Sequence, residues 1–309
     1  FNVESSPELE RIDRIAGRLK KIAPISVRVN PNVDAKTHAK ITTGTYENKF
    51  GIAFEEVEAL YARIARMKHL EIKGVQMHIG SQLTQVKPFV DAVRKMLPLI
   101  KRLQASHDLK FFSIGGGLGI VYDPALASGT AKWWKSSEAK GILTPETYAQ
   151  KLVPLLKPLG LRILLEPGRF IAGNAGILVT RVEYVKNTGQ KHFVIVYAAM
   201  NDLIRPSFYE AFHEIVPLKR KRGKSIATDV VGPICESGDT FCKNRLLPPV
   251  KEGDHLALLS AGAYAFTMAS NYNTRPMPAE VLVQGAEHVV IRKRQQTRSL
   301  FRGESLPEW

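Results

Sequence analysis

Short apolar segments alternate with amphipathic stretches through the first half of the chain. Five segments have the length of a strand and are rich in β-branched or aromatic residues: residues 1–5, 25–29, 74–79, 111–115 and 162–166. Between them, apolar residues recur every three or four positions, as on one face of a helix; an example is the set Val57, Leu60, Ile64 and Met67. Such alternation is typical of parallel strands joined by crossover helices, so we predict the α/β class. A closed (β/α)8 barrel has eight strands, and the sequence predicts about five of them.

Helix starts carry their own signals. Ser6 stands directly before the first amphipathic stretch and Pro7 follows it, which predicts Ser6 as N-cap and Pro7 as the first helical residue. Thr144 and Pro145 repeat this pattern later in the chain and predict a further helix.

The pattern changes after residue 176. Strand-like runs separated by turn residues replace the helical periodicity, at 177–185, 192–198, 226–231, 255–259, 280–283 and 288–291. This spacing predicts a mainly β domain. We therefore expect two domains, residues 1–176 with part of the barrel and residues 177–309 with the β domain.

Composition narrows the choice of partners. The 309 residues include no apolar run of the length that spans a bilayer, so no membrane association is expected. Two cysteines are too few for a disulfide framework and fit a reducing cytoplasm. The formal net charge is +15, but the basic residues concentrate at 219–224 and 292–302 without interleaved aromatics, so no nucleic-acid partner is expected.

Polar or glycine-rich residues follow the predicted strands, where a parallel α/β barrel carries its chemistry. Glycines 115–117 suit a backbone cradle for phosphate, although an ordinary tight turn has the same composition. Glu166 suits recognition of a heterocyclic nitrogen, and Arg169 suits recognition of an anion. The alternative is that the two residues form a surface ion pair. His78 is either a satisfied core histidine or a ligand-facing one, with Ser81 placed to donate to phosphate.

The β region holds a second group of candidates. Cys235 and Glu236 follow a Gly-Pro turn, and neighbouring acids favour a protonated thiol that can donate a proton; a buried structural cysteine is the alternative. Arg205 and Tyr209 lie four residues apart, a spacing suited to gripping a carboxylate. Tyr264 is flanked by small residues, and any of these three side chains could equally serve packing. Cys235 and Cys242 do not have the spacing of a zinc site, so no metal is expected.

The order of these motifs resembles the fold-type III pyridoxal-phosphate-dependent decarboxylases. The motifs are His78-Ile-Gly-Ser-Gln, Gly115-Gly-Gly-Leu-Gly, Glu166-Pro-Gly-Arg, Arg205-Pro with Tyr209, Cys235-Glu-Ser-Gly-Asp and Gly262-Ala-Tyr. Further stretches are similar to the diaminopimelate decarboxylases within that family: Lys40-Ile-Thr-Thr-Gly, Phe266-Thr-Met-Ala-Ser-Asn-Tyr-Asn and Arg275-Pro-Met-Pro-Ala-Glu-Val. The resemblance covers essentially the whole chain.

The resemblance implies a (β/α)8 barrel joined to a β domain, a head-to-tail homodimer and the cofactor pyridoxal 5′-phosphate. The residues it carries over as cofactor-binding are His78, Ser81, Gly115, Gly116, Gly117, Glu166, Gly168, Arg169 and Tyr264. Among these, His78 is expected to stack on the pyridine ring and Glu166 to pair with its nitrogen.

The resemblance also implies decarboxylation of meso-2,6-diaminopimelate to L-lysine and CO2, the last step of lysine biosynthesis. The residues it carries over as substrate-binding are Arg169, Arg205, Tyr209, Glu236 and Tyr264. His78 and Cys235 are carried over as catalytic, with Cys235 donating the proton that replaces CO2. The Cys235–Glu236 pair is expected to reach into the neighbouring subunit's active site.

One element of the family pattern has no match here, namely the cofactor lysine in a Tyr-Ala-x-Lys-Ala-Asn type of segment. We therefore expect the sequence to be part of a longer chain. Two alternatives stay open: an ornithine- or arginine-type decarboxylase of the same fold, and a catalytically inactive homologue that acts as a binding partner. Glu236 after Cys235 argues against the first.

Overall fold

The computed structural model describes residues 1–33 and 49–309. The chain forms two compact units, the first made of residues 1–120 and 135–170 and the second of residues 121–134 and 171–309. The predicted domain boundary at residue 176 stays a prediction. Among the described residues, no helix combines the length and the hydropathy needed to cross a membrane.

A parallel sheet organises the first unit. Its strands are β1 (Asn2–Val3), β2 (Ala23–Asn30), β3 (Ile52–Ala53), β4 (Leu70–Met77), β5 (Phe111–Ser113) and β6 (Arg162–Leu164). They pair in the order β1-β2-β4-β5-β6, with β3 beside β2, and every pairing is parallel. The predicted α/β class and all five predicted strands are confirmed. The two-residue strand β3 was not predicted, because it is too short to show a pattern.

Helices connect these strands, as the periodicity predicted. They are α1 (Ser6–Arg18), α2 (Val57–Ile64), α3 (Lys87–Ser106) and α5 (Pro145–Leu156). Thr144 is the N-cap of α5, as predicted, and its side chain accepts a hydrogen bond from the Thr147 amide. At α1 the predicted cap was wrong by one residue. Ser5 has the extended N-cap backbone and accepts from the Glu8 amide, while Ser6 is already helical.

The two faces of the parallel sheet have opposite character. Val27, Val75 and Phe112 are fully buried and belong to the apolar core that the helices share. Because successive side chains of a strand point to opposite faces, the residues next to them lie on the other face. That face carries polar side chains near the strand ends, and it is the face on which the candidate site is built.

The second unit is mainly β. A six-stranded sheet has the order β11-β10-β8-β7-β12-β9, and β13 and β14 form a separate hairpin. The strands are β7 (Leu178–Asn187), β8 (His192–Val196), β9 (Ile215–Pro217), β10 (Ile226–Val231), β11 (Thr240–Leu247), β12 (His255–Leu258), β13 (Glu280–Gln284) and β14 (Glu287–Arg292). All six predicted runs are confirmed as strands. The short β9 and the polar β11 were not predicted, since neither has the alternating pattern that sequence reasoning relies on.

Three short helices complete the α-helical elements that the structure describes. They are α4 (Ala125–Ser128), α6 (Gly168–Ala172) and α7 (Arg205–Tyr209). Helix α6 follows β6 after a short turn, and α7 follows β8 after a loop, so both begin close to predicted site residues.

The corrected N-cap can be tested by a matched pair of substitutions. Ser5→Ala removes the acceptor for the Glu8 amide and should lower the free energy of unfolding by about 1 kcal/mol. Ser6→Ala changes a helical position and should stay within about 0.5 kcal/mol of the parent. Urea denaturation of the two variants measures the difference, and a larger loss for Ser6→Ala would contradict the assignment.

Candidate active site

A row of buried polar side chains crosses three neighbouring strands of the first unit. In the parallel register Arg28 on β2 lies opposite Gln76 on β4, and Gln76 lies opposite Ser113 on β5. All three are buried, although they belong to otherwise apolar strands. A buried polar group is costly unless it is hydrogen-bonded, so this row needs partners. Those partners lie at the carboxyl ends of the strands.

The glycine loop after β5 passes unusually close to the neighbouring strand ends. A Cβ at Gly115 would lie 2.3 Å from the Met77 carbonyl oxygen, and one at Gly116 would lie 2.3 Å from the Glu166 carbonyl oxygen. Gly115 and Gly117 also have positive φ angles of 73° and 97°. Any side chain here would displace the backbone of a neighbouring strand end. The loop is therefore a surface of bare backbone, as a phosphate cradle requires.

His78 is held in one orientation by this loop. The Gly116 amide donates to His78 Nδ1 at 3.1 Å, so in the neutral ring the proton lies on Nε2. Burial and, to a smaller extent, the positive charge of Arg28 lower the pKa of His78 to about 4, against the opposing effect of Glu166 and Glu4. His78 is therefore a neutral imidazole near pH 7, fixed at its edge and suited to stacking on a flat ring.

One oxygen of the Glu166 carboxylate is fixed by the polar row. Ser113 Oγ donates to Glu166 Oε1 at 2.7 Å, and Gln76 Nε2 lies 3.5 Å from the same oxygen. The Gly115 amide donates to Ser113 Oγ at 3.2 Å, which leaves the serine proton for Glu166. The carboxylate is thus oriented while the residue itself stays exposed.

Sequence reasoning missed Ser113 and Gln76 as parts of this site. Their signal was present but weak: each is a polar residue inside a run that otherwise reads as a buried strand. Arg28 gives the same signal on β2. It forms a 2.5 Å ion pair with Glu4, and its Nη2 lies 3.5 Å from the His78 carbonyl oxygen. This ion pair places one positive and one negative charge near His78.

An anion-binding pair lies beside the glycine loop. The buried Arg169 donates from Nη2 to Ser81 Oγ at 3.0 Å. A Cβ at Gly117 would lie 2.3 Å from the Gly80 carbonyl oxygen, so the loop reaches the residue next to Ser81. A Cβ at Gly168 would meet nothing within 4 Å, so the backbone before Arg169 faces open space. Bare backbone, a hydroxyl and a guanidinium together fit a phosphate.

The first unit therefore brings together eight predicted site residues: His78, Ser81, Gly115, Gly116, Gly117, Glu166, Gly168 and Arg169. They lie at the ends of three adjacent strands and are linked by the hydrogen bonds and close approaches just described. A neutral aromatic ring, an oriented carboxylate and a phosphate cradle fit a phosphorylated pyridine ring. The Lys40-Ile-Thr-Thr-Gly motif lies outside the described residues.

The second unit displays Cys235 and Glu236 on an exposed turn between β10 and β11. The buried Asp239 fixes this turn, because its carboxylate accepts hydrogen bonds from the Met200 amide at 2.7 Å and from the Ile234 amide at 2.8 Å. A Cβ at Gly232 would lie 2.2 Å from that carboxylate, which explains the glycine. The predicted alternative of a buried Cys235 is wrong; Cys242 is the buried cysteine, and burial raises its pKa.

The remaining three candidates also lie in the second unit. Arg205 and Tyr209 begin and end α7, so they share a helical turn as their spacing predicted. Tyr264 is partly exposed and has a φ of 60°, a left-handed conformation that is uncommon for a tyrosine. Such backbone strain is concentrated at functional positions. A Cβ at Gly262 would lie 1.8 Å from the Ala172 carbonyl oxygen, so the segment before Tyr264 is closely packed against Ala172.

Comparison with known proteins finds a matching family model and close relatives over nearly the whole chain. Residues 1–173 match the family model for the pyridoxal binding domain of pyridoxal-dependent decarboxylases. The chain is 46% identical to the diaminopimelate decarboxylase of Vibrio cholerae over 311 residues, which covers 100% of this chain and 71% of that protein. It is 47% identical to the diaminopimelate decarboxylase of Aquifex aeolicus, over 96% of this chain and 67% of that protein.

Solved structures agree with these relatives. The diaminopimelate decarboxylase of Helicobacter pylori complexed with L-lysine superposes with a TM-score of 0.88 at 41% identity, covering 97% of this chain and 72% of that one. The lysine/ornithine decarboxylase of Vibrio vulnificus complexed with cadaverine is more distant, with a TM-score of 0.69 at 22% identity over 88% of this chain and 65% of that one. At that identity the likeness concerns the fold alone.

The low pKa of His78 predicts a specific dependence of stability on pH. As the pH falls below 6.5, the unfolded histidine gains a proton, whereas the folded one does so only near pH 4. The free energy of unfolding should therefore fall through this window, by roughly 3 kcal/mol, and this contribution should not change further below it. His78→Gln should remove it.

Denaturant unfolding between pH 7 and pH 4 measures the effect as the difference between the parent and His78→Gln. His288→Gln is the matched control, because His288 is an exposed residue of β14. Parallel curves for the parent and His78→Gln would show that His78 titrates normally.

Proposed function

This chain belongs to the diaminopimelate decarboxylases, and from that membership we propose that it converts meso-2,6-diaminopimelate to L-lysine and CO2, the last step of lysine biosynthesis. One observation carries the proposal. The described residues place a neutral His78, an oriented Glu166 and the Gly115–Gly117 cradle side by side, in a chain that matches diaminopimelate decarboxylases over nearly its whole length. The enzyme is a carboxy-lyase, and its cofactor is pyridoxal 5′-phosphate.

The first unit supplies the groups that bind the cofactor. The amides of the glycine loop and of Gly168 would receive the phosphate, together with the Ser81 hydroxyl and the Arg169 guanidinium. The flat face of His78 would pack on the pyridine ring. Ser113 and Gln76 hold Glu166 Oε1, and the carboxylate would pair with the pyridine nitrogen and keep it protonated. When bound, pyridoxal phosphate supplies an electron sink for the charge left by a departing carboxylate.

The neutrality of His78 serves this arrangement. A protonated imidazole packed on the ring would oppose the positive charge that Glu166 stabilises at the pyridine nitrogen. The Gly116 amide prevents protonation at Nδ1, since it already donates to that atom. His78 therefore positions the ring without competing for the proton.

We propose five substrate-binding residues, and each assignment rests on the family membership of the chain. Arg169 and Arg205 provide guanidinium groups that pair with carboxylates, and Tyr209 and Tyr264 add hydroxyl donors. Glu236 recognises the distal amino group as a carboxylate partner. Charge pairing of this kind selects a substrate with two amino and two carboxylate groups over a shorter diamino monocarboxylate, which lacks the second carboxylate.

Cys235 delivers the proton that replaces CO2 at the α-carbon. Its exposed turn, anchored by the buried Asp239, holds the thiol away from the second unit's own core. We propose that two subunits form a homodimer with shared active sites, in which the Cys235–Glu236 turn of one completes the site of the other. Both cysteines are free, which supports a reducing, cytoplasmic location.

A direct assay tests the substrate. The whole protein, assayed with its cofactor lysine in place and loaded with pyridoxal 5′-phosphate, should release CO2 from meso-2,6-diaminopimelate, because the chain belongs to the diaminopimelate decarboxylases. L-ornithine and L-arginine should give at least 100-fold lower kcat/KM, the discrimination expected when a buried charged group loses its partner. Preferential release of CO2 from ornithine would refute the substrate assignment, and no release from any of the three would refute the activity.

The role of Cys235 is tested against the other cysteine. Cys235→Ala should lower kcat by roughly 10²- to 10⁴-fold, the usual contribution of a positioned proton donor, while the absorbance of the bound cofactor stays unchanged. Cys242→Ala removes a buried thiol of β11 and should lower stability while leaving kcat nearly unchanged. An equal loss of kcat in both variants would argue against Cys235 as the donor.

A further inference from the structure

Arg205 lies in an environment that fixes its guanidinium group. Its side chain is only 6% exposed, and its Nη1 atom lies 2.7 Å from Nε2 of His213. His213 itself is fully buried, on the segment between α7 and β9. A cation held so far from water depends strongly on the groups that surround it.

The other nitrogen of His213 defines which tautomer is present. Nδ1 lies 2.8 Å from the carbonyl oxygen of Leu259, which can only accept a hydrogen bond. Nδ1 therefore carries the proton, and Nε2 of the neutral ring is left with a lone pair. That lone pair accepts from the Arg205 guanidinium, so the two contacts of the imidazole agree with one protonation state.

Backbone pairing keeps the Leu259 carbonyl in place. The Leu259 amide donates to the Glu214 carbonyl at 2.8 Å, and β12 pairs with β9 in the next register position, Leu258 with Ile215. The Leu259 carbonyl, which accepts from His213, therefore belongs to the residue that directly continues β12, and the backbone pairing of the sheet fixes its position. The orientation of the imidazole follows from the sheet.

Tyr122 contacts both members of this cluster. The Arg205 guanidinium carbon lies 4.6 Å from the centre of the Tyr122 ring, a cation–π contact. The same ring meets the imidazole of His213 edge to face, with centroids 5.4 Å apart and an interplanar angle of 79°. The plane of the guanidinium is therefore set by a hydrogen bond at its edge and an aromatic ring against it.

We infer that His213 is a positioning residue for substrate recognition: through its Nε2 lone pair it orients Arg205 toward a substrate carboxylate, with Tyr122 supporting the guanidinium. This inference rests on the proposed function, which makes Arg205 a substrate-binding residue. It assigns His213 no contact with substrate or cofactor. Its effect should therefore be seen in substrate affinity and should disappear when Arg205 is absent.

The test compares three variants in the enzyme loaded with pyridoxal 5′-phosphate. His213→Leu should raise KM for meso-2,6-diaminopimelate roughly 10- to 100-fold, the range for a misaligned charge-assisted hydrogen bond, while kcat changes less than about threefold. His213→Gln keeps an acceptor for Arg205 and should restore most of the loss. His255→Gln, at an exposed histidine of β12, should behave as the parent.

A double-mutant cycle separates positioning from simple destabilisation. In an Arg205→Gln background, His213→Leu should raise KM by less than about twofold, because its effect passes through Arg205. A full additional rise, or an unchanged KM in the single variant, would overturn the inference. If His213→Leu does not fold, the comparison of His213→Gln with His213→Asn, whose shorter side chain cannot span both partners, decides the same question.

Two measurements besides activity complete the test. Calorimetric binding of pimelate, a seven-carbon dicarboxylate, should weaken in His213→Leu by the same factor as KM, while the content of bound cofactor stays at the parent value. Loss of cofactor would instead assign His213 to the cofactor site and contradict the inference. The two proposals fail separately: a parent enzyme without CO2 release from meso-2,6-diaminopimelate refutes the function, whereas an active parent with an insensitive His213 refutes only the positioning role.

Discussion

The close approach of bare backbone to neighbouring strand ends is the constraint on which the candidate site depends. Gly115, Gly116 and Gly117 each pass so near a carbonyl oxygen of an adjacent segment that a single methyl group would not fit. This proximity lets the Gly116 amide reach His78 and the Gly115 amide reach Ser113. The glycines thus do more than allow a turn, because their amides set the orientation of two side chains of the candidate site.

Charged residues of the first unit determine the protonation state of His78 together with its burial. Arg28 brings a buried positive charge close to His78, and Glu4 pairs with it directly. The histidine remains neutral because burial and Arg28 outweigh the two nearby carboxylates, so its pKa falls to about 4. The negative charge of Glu166 then stays available for a cationic partner, since no protonated imidazole competes for it. A neutral stacking ring and a charged carboxylate can therefore lie side by side.

In the second unit, buried groups hold candidate site residues in place at separate points. The carboxylate of Asp239 anchors the turn that carries Cys235 and Glu236, and His213 orients Arg205. Tyr264 has a left-handed conformation, and Gly262, two residues before it, packs closely against the Ala172 carbonyl. In each case a short helix or turn carries the candidate side chain, next to buried contacts that are costly to break.

Sequence alone determined the α/β class, eleven of the strands and the identity of the family, because apolar runs, glycine clusters and motif order are local properties of the chain. It also selected His78, Glu166 and Arg169 as candidate site residues, because their residue types stand out at strand ends. It did not select Ser113, Gln76, Arg28 or His213 as candidates, and it placed the first N-cap at Ser6 instead of Ser5. The reason is physical: the role of a polar residue inside a strand depends on its register with the next strand, and the role of His213 depends on a carbonyl 46 residues away. Only the tertiary structure brings such groups within hydrogen-bonding distance, and only there do burial and pairing decide their charge and direction.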